Sequence, residues 1–254
     1  MRIKSLLIVS AVILAACTPE PEKQAQQIGI QSLVYTQKSA EIEALYLQGY
    51  NVATDRIREA QFDKMAKKPA VTLDLDETVL DNSPFNAKLL LDNMSYSPDL
   101  WDEWCERREA LPLPGALDFT KFAQSSGVEV FYVSNRTENL LDATIDNMQK
   151  LGFPNSDTTH ILLKTTTSSK DARREKIREE YEIILLLGDN LGDFDGIFDN
   201  REMNMGKNNV YEAGASFGRQ FIMFPNAMYG GWQKAAYPEG IPDAQGMIES
   251  LRAY

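Results

Sequence analysis

Histidine is almost absent from this sequence: His160 is the only one in 254 residues. That excludes a two-histidine zinc site, a HExxH protease and a histidine-rich binuclear phosphatase, each of which needs ligands the chain lacks. Cysteine is nearly as scarce, with Cys17 and Cys105 alone, so a disulfide framework cannot hold the fold. Cations are in deficit, 26 Lys and Arg against 37 Asp and Glu, for a net charge of −11. A nucleic-acid polymer is therefore not an expected partner, because phosphate neutralisation needs clustered Lys and Arg. No internal repeat is present. Chemistry here must run on carboxylates, hydroxyls and lysines.

The one strongly apolar run lies at the start. Arg2 and Lys4 precede Leu6 to Leu14, and Ala15 and Ala16 lead into Cys17. Sixteen residues are too few to anchor in a bilayer, so residues 1–16 read as a signal peptide. The string Leu14-Ala15-Ala16-Cys17 resembles a bacterial lipobox, which implies acylation of Cys17 as the new N-terminus. Removing 16 residues from 254 leaves 238, and losing Arg2 and Lys4 takes the charge to −13. Thr18, in place of Asp, resembles an outer-membrane address in a Gram-negative bacterium. Residues 17–28 then read as a polar, lipid-anchored tether, and the membrane is a partner through Cys17 alone. With Cys17 acylated, Cys105 stands alone in Trp101-x-x-Trp104-Cys105, where a buried, inert thiol is expected.

The remainder, 29–254, alternates helix and strand signals. Apolar residues at helical spacing (Leu33, Val34, Ala40, Leu45, Tyr46, Tyr50, Val52, Ile57) predict one or two amphipathic helices across 30–66. Short apolar runs at 70–76, 128–133, 160–163, 183–187 and 221–224 read as buried strands, with helices expected at 115–126, 138–151 and 168–181. This pattern predicts an α/β fold with a parallel sheet covered on both faces. Residues 84–112, bounded by Pro112 and Pro114, read as an inserted cap.

Polar residues collect where those strands end. Asp74 and Asp76, Ser134, and Asp189 each follow an apolar run, and Lys170 follows another; in an open α/β sheet these ends line the ligand crevice. On a regular strand Asp74 and Asp76 would share a face and repel, which a divalent cation with a further carboxylate from Asp189 would relieve. Magnesium suits a site of few protein oxygens, waters and a phosphate. One carboxylate can attack phosphorus while the other protonates the leaving alkoxide and later activates water. The Ser134 hydroxyl and a lysine ammonium can hold the remaining phosphoryl oxygens. Both Lys164 and Lys170 follow the third strand.

The segment Asp74-Leu75-Asp76-Glu77-Thr78-Val79-Leu80-Asp81-Asn82 resembles the first motif of haloacid-dehalogenase-like phosphatases, and its extension the class C acid phosphatases, the bacterial lipoprotein-e family. Ile184 to Phe194, containing Gly188-Asp189-Asn190-Leu191-Gly192-Asp193, resembles that family's second signature. Val133-Ser134-Asn135-Arg136, Lys170 and Asn226 to Trp232 fit its other conserved stretches. The resemblance implies a Rossmann-type parallel sheet with a helical N-terminal segment and a small helical cap. It implies a Mg-dependent acid phosphatase acting on small phosphomonoesters, nucleoside 5′-monophosphates included, through an aspartyl-phosphate. Asp74 would be nucleophile and metal ligand, Asp76 the acid/base and a metal ligand through its carbonyl, and Asp189 a metal ligand supported by Asp193. Ser134 and Lys170 would bind phosphate, with family spacing favouring Lys170 over Lys164. Trp101 and Tyr229 would stack a nucleobase. Phe85 replaces the Tyr common in the signature.

Two other readings use the same residues. A surface lipoprotein that binds a ligand without turnover is disfavoured by the close aspartates, which weaken anion affinity; phosphotransfer to an alcohol needs no different site. The Gly214-Ala215-Ser216-Phe217-Gly218 stretch matches the serine-hydrolase GxSxG pattern. Its required histidine would follow the serine, whereas His160 precedes it.

Overall fold

The computed structural model describes residues 21–252 except Gln61. The leader 1–16, Cys17 and residues 18–20 lie outside the described residues. Two long helices come first, α1 (Pro21–Lys38) and α2 (Ala40–Glu59), so the later part of the expected tether, from Pro21, is helical. No helix among the described residues is long and apolar enough to cross a membrane. Ser39 ends one helix and caps the next, its hydroxyl accepting from Ile42 N at 3.2 Å. α2 buries Ile42, Tyr46, Tyr50, Ala53 and Ile57, one stripe at three- and four-residue spacing. Val34 and Leu45, expected on the apolar face, are exposed instead.

The remaining chain winds a five-stranded parallel sheet. Its strands are β1 (Lys68–Leu73), β4 (Glu129–Thr137), β5 (Ile161–Lys164), β6 (Tyr181–Gly188) and β7 (Phe221–Met223), in the order β5-β4-β1-β6-β7. The connecting helices are α5 (Ala116–Ser125), α6 (Leu141–Leu151) and α7 (Asp171–Glu180). Helices α3 (Ser83–Leu91) and α4 (Pro98–Arg107) form the cap between β1 and α5, bracketed by a small antiparallel pair, β2 (Leu80–Asp81) with β3 (Leu111–Pro112). The predicted strands thus fall where apolar runs place them, in the parallel α/β fold expected.

Both sheet faces are buried, which is why the strands are continuously apolar. Val71, Leu73, Val130, Tyr132, Leu185 and Leu187 pack with the α2 stripe and α5 on one side. Ala70, Phe131, Val133, Ile183, Leu186 and Phe221 pack with Ile177 of α7 on the other. Alternation is strict except in β6, where Ala70 pairs with Ile183 but Val71 pairs with Leu185. The extra residue, Ile184, is a bulge that resets the parity, leaving Ile183 and Leu186 on the same face.

Because β1 leads leftward to β4 and β5 before the chain returns to β6 and β7, the connections diverge at β1. The crevice opens there, at the carboxyl ends of the strands.

Candidate active site

Asp74 follows directly on β1, and its N–H donates to Leu187 O of β6 at 2.9 Å, extending the ladder by one residue. The strand ends at Leu73, so the expectation that Asp74 and Asp76 share a face does not hold. A tight loop turns the chain: the N–H groups of Thr78, Val79 and Leu80 all converge on Leu75 O. Glu77 takes a left-handed φ of 59° within it. Two tyrosines of α2 hold this loop from below. Tyr46 donates its hydroxyl to Glu77 O at 2.6 Å, and Tyr50 donates to Thr78 O at 2.7 Å. Buried carbonyls that would otherwise lack partners are satisfied this way.

The two aspartates consequently serve different neighbourhoods. Asp74 meets Lys170 Nζ, which comes from the loop before α7 and also lies 2.7 Å from Asp193 Oδ1. One carboxylate oxygen from each of Asp74, Asp189 and Asp193 lies within 4.8 Å of the others. Asp193 reaches the group through a capping box: Asn190 N donates to Asp193 Oδ2 at 2.8 Å while the Asn190 side chain accepts from Gly192 N. That return packs the Asp193 carboxylate where a side chain on Gly188 would sit, so only glycine fits there. Asp189 accepts from Asn226 Nδ2 at 2.8 Å.

Asp76 points the other way. Its Oδ1 accepts from Arg136 Nη2 at 2.7 Å, Arg136 Nε at 3.0 Å and Asn82 Nδ2 at 2.9 Å. Ser134 Oγ donates to Asp76 Oδ2 at 3.3 Å. The Asn82 amide is oriented by the cap, where Trp104 Nε1 donates to its Oδ1 at 2.8 Å. Trp101, one turn earlier on α4, lies with its ring centroid 5.7 Å from the Arg136 guanidinium and 5.2 Å from the Phe85 ring.

Charge defines what this arrangement can hold. With all three carboxylates ionised, as metal ligands must be, Asp74, Asp189 and Asp193 carry −3 against one ammonium, Lys170, while an ionised Asp76 is matched by Arg136. The residue of −2 fits one divalent cation with hard oxygen ligands. Burial, opposed by Lys170 and reinforced by Asp193, pushes the Asp74 carboxyl up to about 7. Burial with Asp193 and Asp74 nearby likewise lifts Asp189 well above the usual carboxylate range. Burial alone would lower Lys170, but Asp193 and Asp74 hold it above its ordinary value. Anions crowded out of water in this way favour a metal ion. A cavity of about 1140 Å³ opens over the cluster, lined by Asp74, Asp76, Lys170, Asp189 and Asp193 and walled by Trp101 and Tyr229.

Residues 8–232 match the HAD superfamily, subfamily IIIB (Acid phosphatase). The chain belongs to this family. It is also similar to the class C acid phosphatase from Bacillus anthracis, at 38% identity and a TM-score of 0.84, covering 91% of this chain and 99% of that one. A structure of that phosphatase with tungstate bound matches at a TM-score of 0.85 with the same identity and coverage. Among curated proteins, a stem 31 kDa glycoprotein of Glycine max is 29% identical over 128 residues, 48% of this chain and 50% of that one. Acid phosphatase 1 of Solanum lycopersicum is 26% identical over 163 residues, 58% and 63% of the two chains. The chain spans about half the length of the first curated relatives it matches. Phosphatases of the HAD superfamily use a divalent metal, and the Asp74, Asp189 and Asp193 cluster is compatible with one.

The structure brings together most of the residues singled out from the sequence. Asp74, Lys170, Asp189 and Asp193 come together, and Asp193 joins the carboxylate group itself instead of standing behind it. Lys170, not Lys164, is the lysine on Asp74. Trp101 and Tyr229 line the same cavity. Ser134 is fully buried beneath Asp76 and is not among the residues lining the cavity. Sequence reasoning passed over Arg136, Asn82 and Trp104, which fix Asp76, and Tyr46 and Tyr50, which fix its loop. Arg136 and Asn82 lay inside the quoted motifs; nothing local marked the tyrosines beyond helical spacing. Cys105 is buried, and that burial pushes its thiol up to about 12, as the inert-thiol reading expects.

Proposed function

We propose that this protein is a Mg-dependent phosphomonoesterase that works through an aspartyl-phosphate on Asp74, with nucleoside 5′-monophosphates among its substrates. The observation that carries the reading is the Asp74, Asp189 and Asp193 carboxylate group with Lys170 at the carboxyl end of the sheet. Asp74, Asp189 and Asp193 would hold the cation, with the Asp76 carbonyl as a further ligand. When bound, the cation offsets phosphoryl charge and lets an anionic ester approach an acidic site.

The chain's own residues account for the rest. A carboxylate oxygen of Asp74 attacks phosphorus, the phosphorus–ester oxygen bond breaks, and Asp76, which must enter this step protonated, gives that proton to the departing oxygen. Asp76 then takes a proton from water as that water attacks phosphorus, breaking the acyl–phosphate bond and freeing Asp74 and inorganic phosphate. Lys170 neutralises charge gathering around the Asp74 oxygen in both steps. Trp101 and Tyr229 would hold a nucleobase by stacking, which tolerates any base. Tungstate, bound by the class C relative, is a tetrahedral oxyanion like the group this site would receive. Lipid on Cys17 would tether the enzyme to the outer membrane.

Turnover of p-nitrophenyl phosphate tests the reading. Activity lost with EDTA, restored by magnesium and absent in Asp74→Asn is expected. Phosphate binding without turnover in the metal-loaded protein would make it a ligand-binding lipoprotein instead.

A further inference from the structure

The two oxygens of the Asp76 carboxylate are not equivalent. Oδ1 accepts three donors at 2.7, 2.9 and 3.0 Å, two of them from Arg136. Oδ2 has only the Ser134 hydroxyl and Arg136 Nε, both at 3.3 Å. Three close donors fill Oδ1, whereas the two donors on Oδ2 stand at 3.3 Å, long for a hydrogen bond and readily displaced by substrate. The guanidinium is itself fixed. Arg136 is 2 % exposed, its Nη1 donates to Thr144 Oγ1 of α6 at 3.1 Å, and Trp101 lies over it. Its backbone N–H donates to the Ser134 hydroxyl at 3.1 Å, aiming that hydroxyl's own proton at Oδ2.

We propose that Arg136 is the positioning residue for proton transfer: by saturating Oδ1 it leaves Oδ2 as the single oxygen of Asp76 that exchanges a proton with the leaving group and with water. The proposal rests on Asp76 as acid/base. In the first half-reaction the Oδ2–H bond breaks as the ester oxygen gains the proton; in the second, Oδ2 takes one proton from the attacking water. Without the guanidinium the carboxylate can rotate, and Oδ1 and Oδ2 alternate at the reacting centre. Arg136 acts on the reaction through its hold on Asp76. Its effect therefore scales with how much the leaving group needs a proton.

The test measures kcat/KM of the magnesium-loaded, full-length protein on two esters, glycerol phosphate, whose alkoxide needs protonation, and p-nitrophenyl phosphate, whose leaving group does not. Arg136→Ala should lose about a hundredfold or more on the first and under about tenfold on the second, the range a general acid supplies. Millimolar guanidinium added to Arg136→Ala should recover the glycerol phosphate reaction selectively. Thr144→Val, which frees one end of the guanidinium and keeps its charge, should move the ratio of the two substrates in the same direction. It also decides the matter if Arg136→Ala does not fold. Asp76→Asn serves as reference. An equal loss on both esters in Arg136→Ala, with Asp76→Asn graded by leaving group, overturns the proposal and leaves the phosphatase reading standing. An ungraded Asp76→Asn overturns the acid/base assignment and the proposal together.

Discussion

Trp101 does two jobs in this geometry, and replacing it should separate them. Its ring stands over the Arg136 guanidinium at 5.7 Å and walls the cavity above Asp74. Stacking of a base on one aromatic is worth about 1–3 kcal/mol, roughly ten- to a hundredfold in kcat/KM. A cation–π contact ranges from about 0.5–1 kcal/mol exposed to about 2 when desolvated. Arg136 is buried and Trp101 half-buried, so about 1 kcal/mol, roughly fivefold, is the expected share. Trp101→Ala should therefore lower kcat/KM about fivefold for glycerol phosphate, and by that factor times a further ten to a hundred for a nucleoside 5′-monophosphate. Base stacking by itself would barely change turnover of a small ester; the Arg136 contact is what adds a loss there. Both substrates are assayed on one preparation, so a folding defect lowers them together. Equal losses, or none for the nucleotide, would refute base stacking on Trp101.

Three further outcomes follow, two from burial and charge and one from the lipobox resemblance. In the metal-free protein the Asp74 carboxyl is raised to about 7 from an ordinary 3.8, so the folded state holds a proton the unfolded state releases, and this group costs stability progressively as pH rises from about 4 to about 7. The magnesium proposed for this site would replace that proton, so its affinity and its increase in Tm should both be larger near pH 8 than near pH 5, with proton release visible by calorimetry in two buffers; a pH-independent affinity would contradict the carboxylate assignment. With its thiol pushed up to about 12, Cys105 should resist iodoacetamide at about pH 8 in the native protein and react in urea. Cys17→Ser should abolish acyl modification and detergent partitioning of the processed chain, while a chain beginning near Gln27 that still partitions into detergent would reveal a second membrane element.

What the sequence disclosed follows from local pattern. Strands buried on both faces are uninterrupted apolar runs, so β1, β4, β5, β6 and β7 were legible, and with them the positions of Asp74 and Asp189 at their ends; β4 runs on to Thr137 and keeps Ser134 inside the strand. Asp193 and Lys170 were legible through motif spacing. The error over Asp74 and Asp76 arose because the strand stops at Leu73 and the loop folds back on Leu75 O, which no periodicity predicts. The Arg136–Asp76 pair joins residues sixty positions apart, and the Tyr46 and Tyr50 hydroxyls reach a loop about thirty residues on. Such contacts depend on packing between elements. Helical spacing reports that a tyrosine is buried but not what its hydroxyl finds. Ser134 reads as a crevice hydroxyl from its position, yet the strand carries it beneath Asp76.

The central claim is that Asp74 carries the phosphoryl group, and chemical trapping tests it most directly. Magnesium-loaded enzyme is acid-quenched during turnover of p-nitrophenyl phosphate and treated with borohydride, which reduces an acyl phosphate to the alcohol. Peptide mass spectrometry should then find homoserine in place of Asp74, and Asp76→Asn should accumulate more of it, because water activation is lost while a good leaving group still departs. Reduction at another carboxylate, or turnover persisting in Asp74→Asn, would contradict the account.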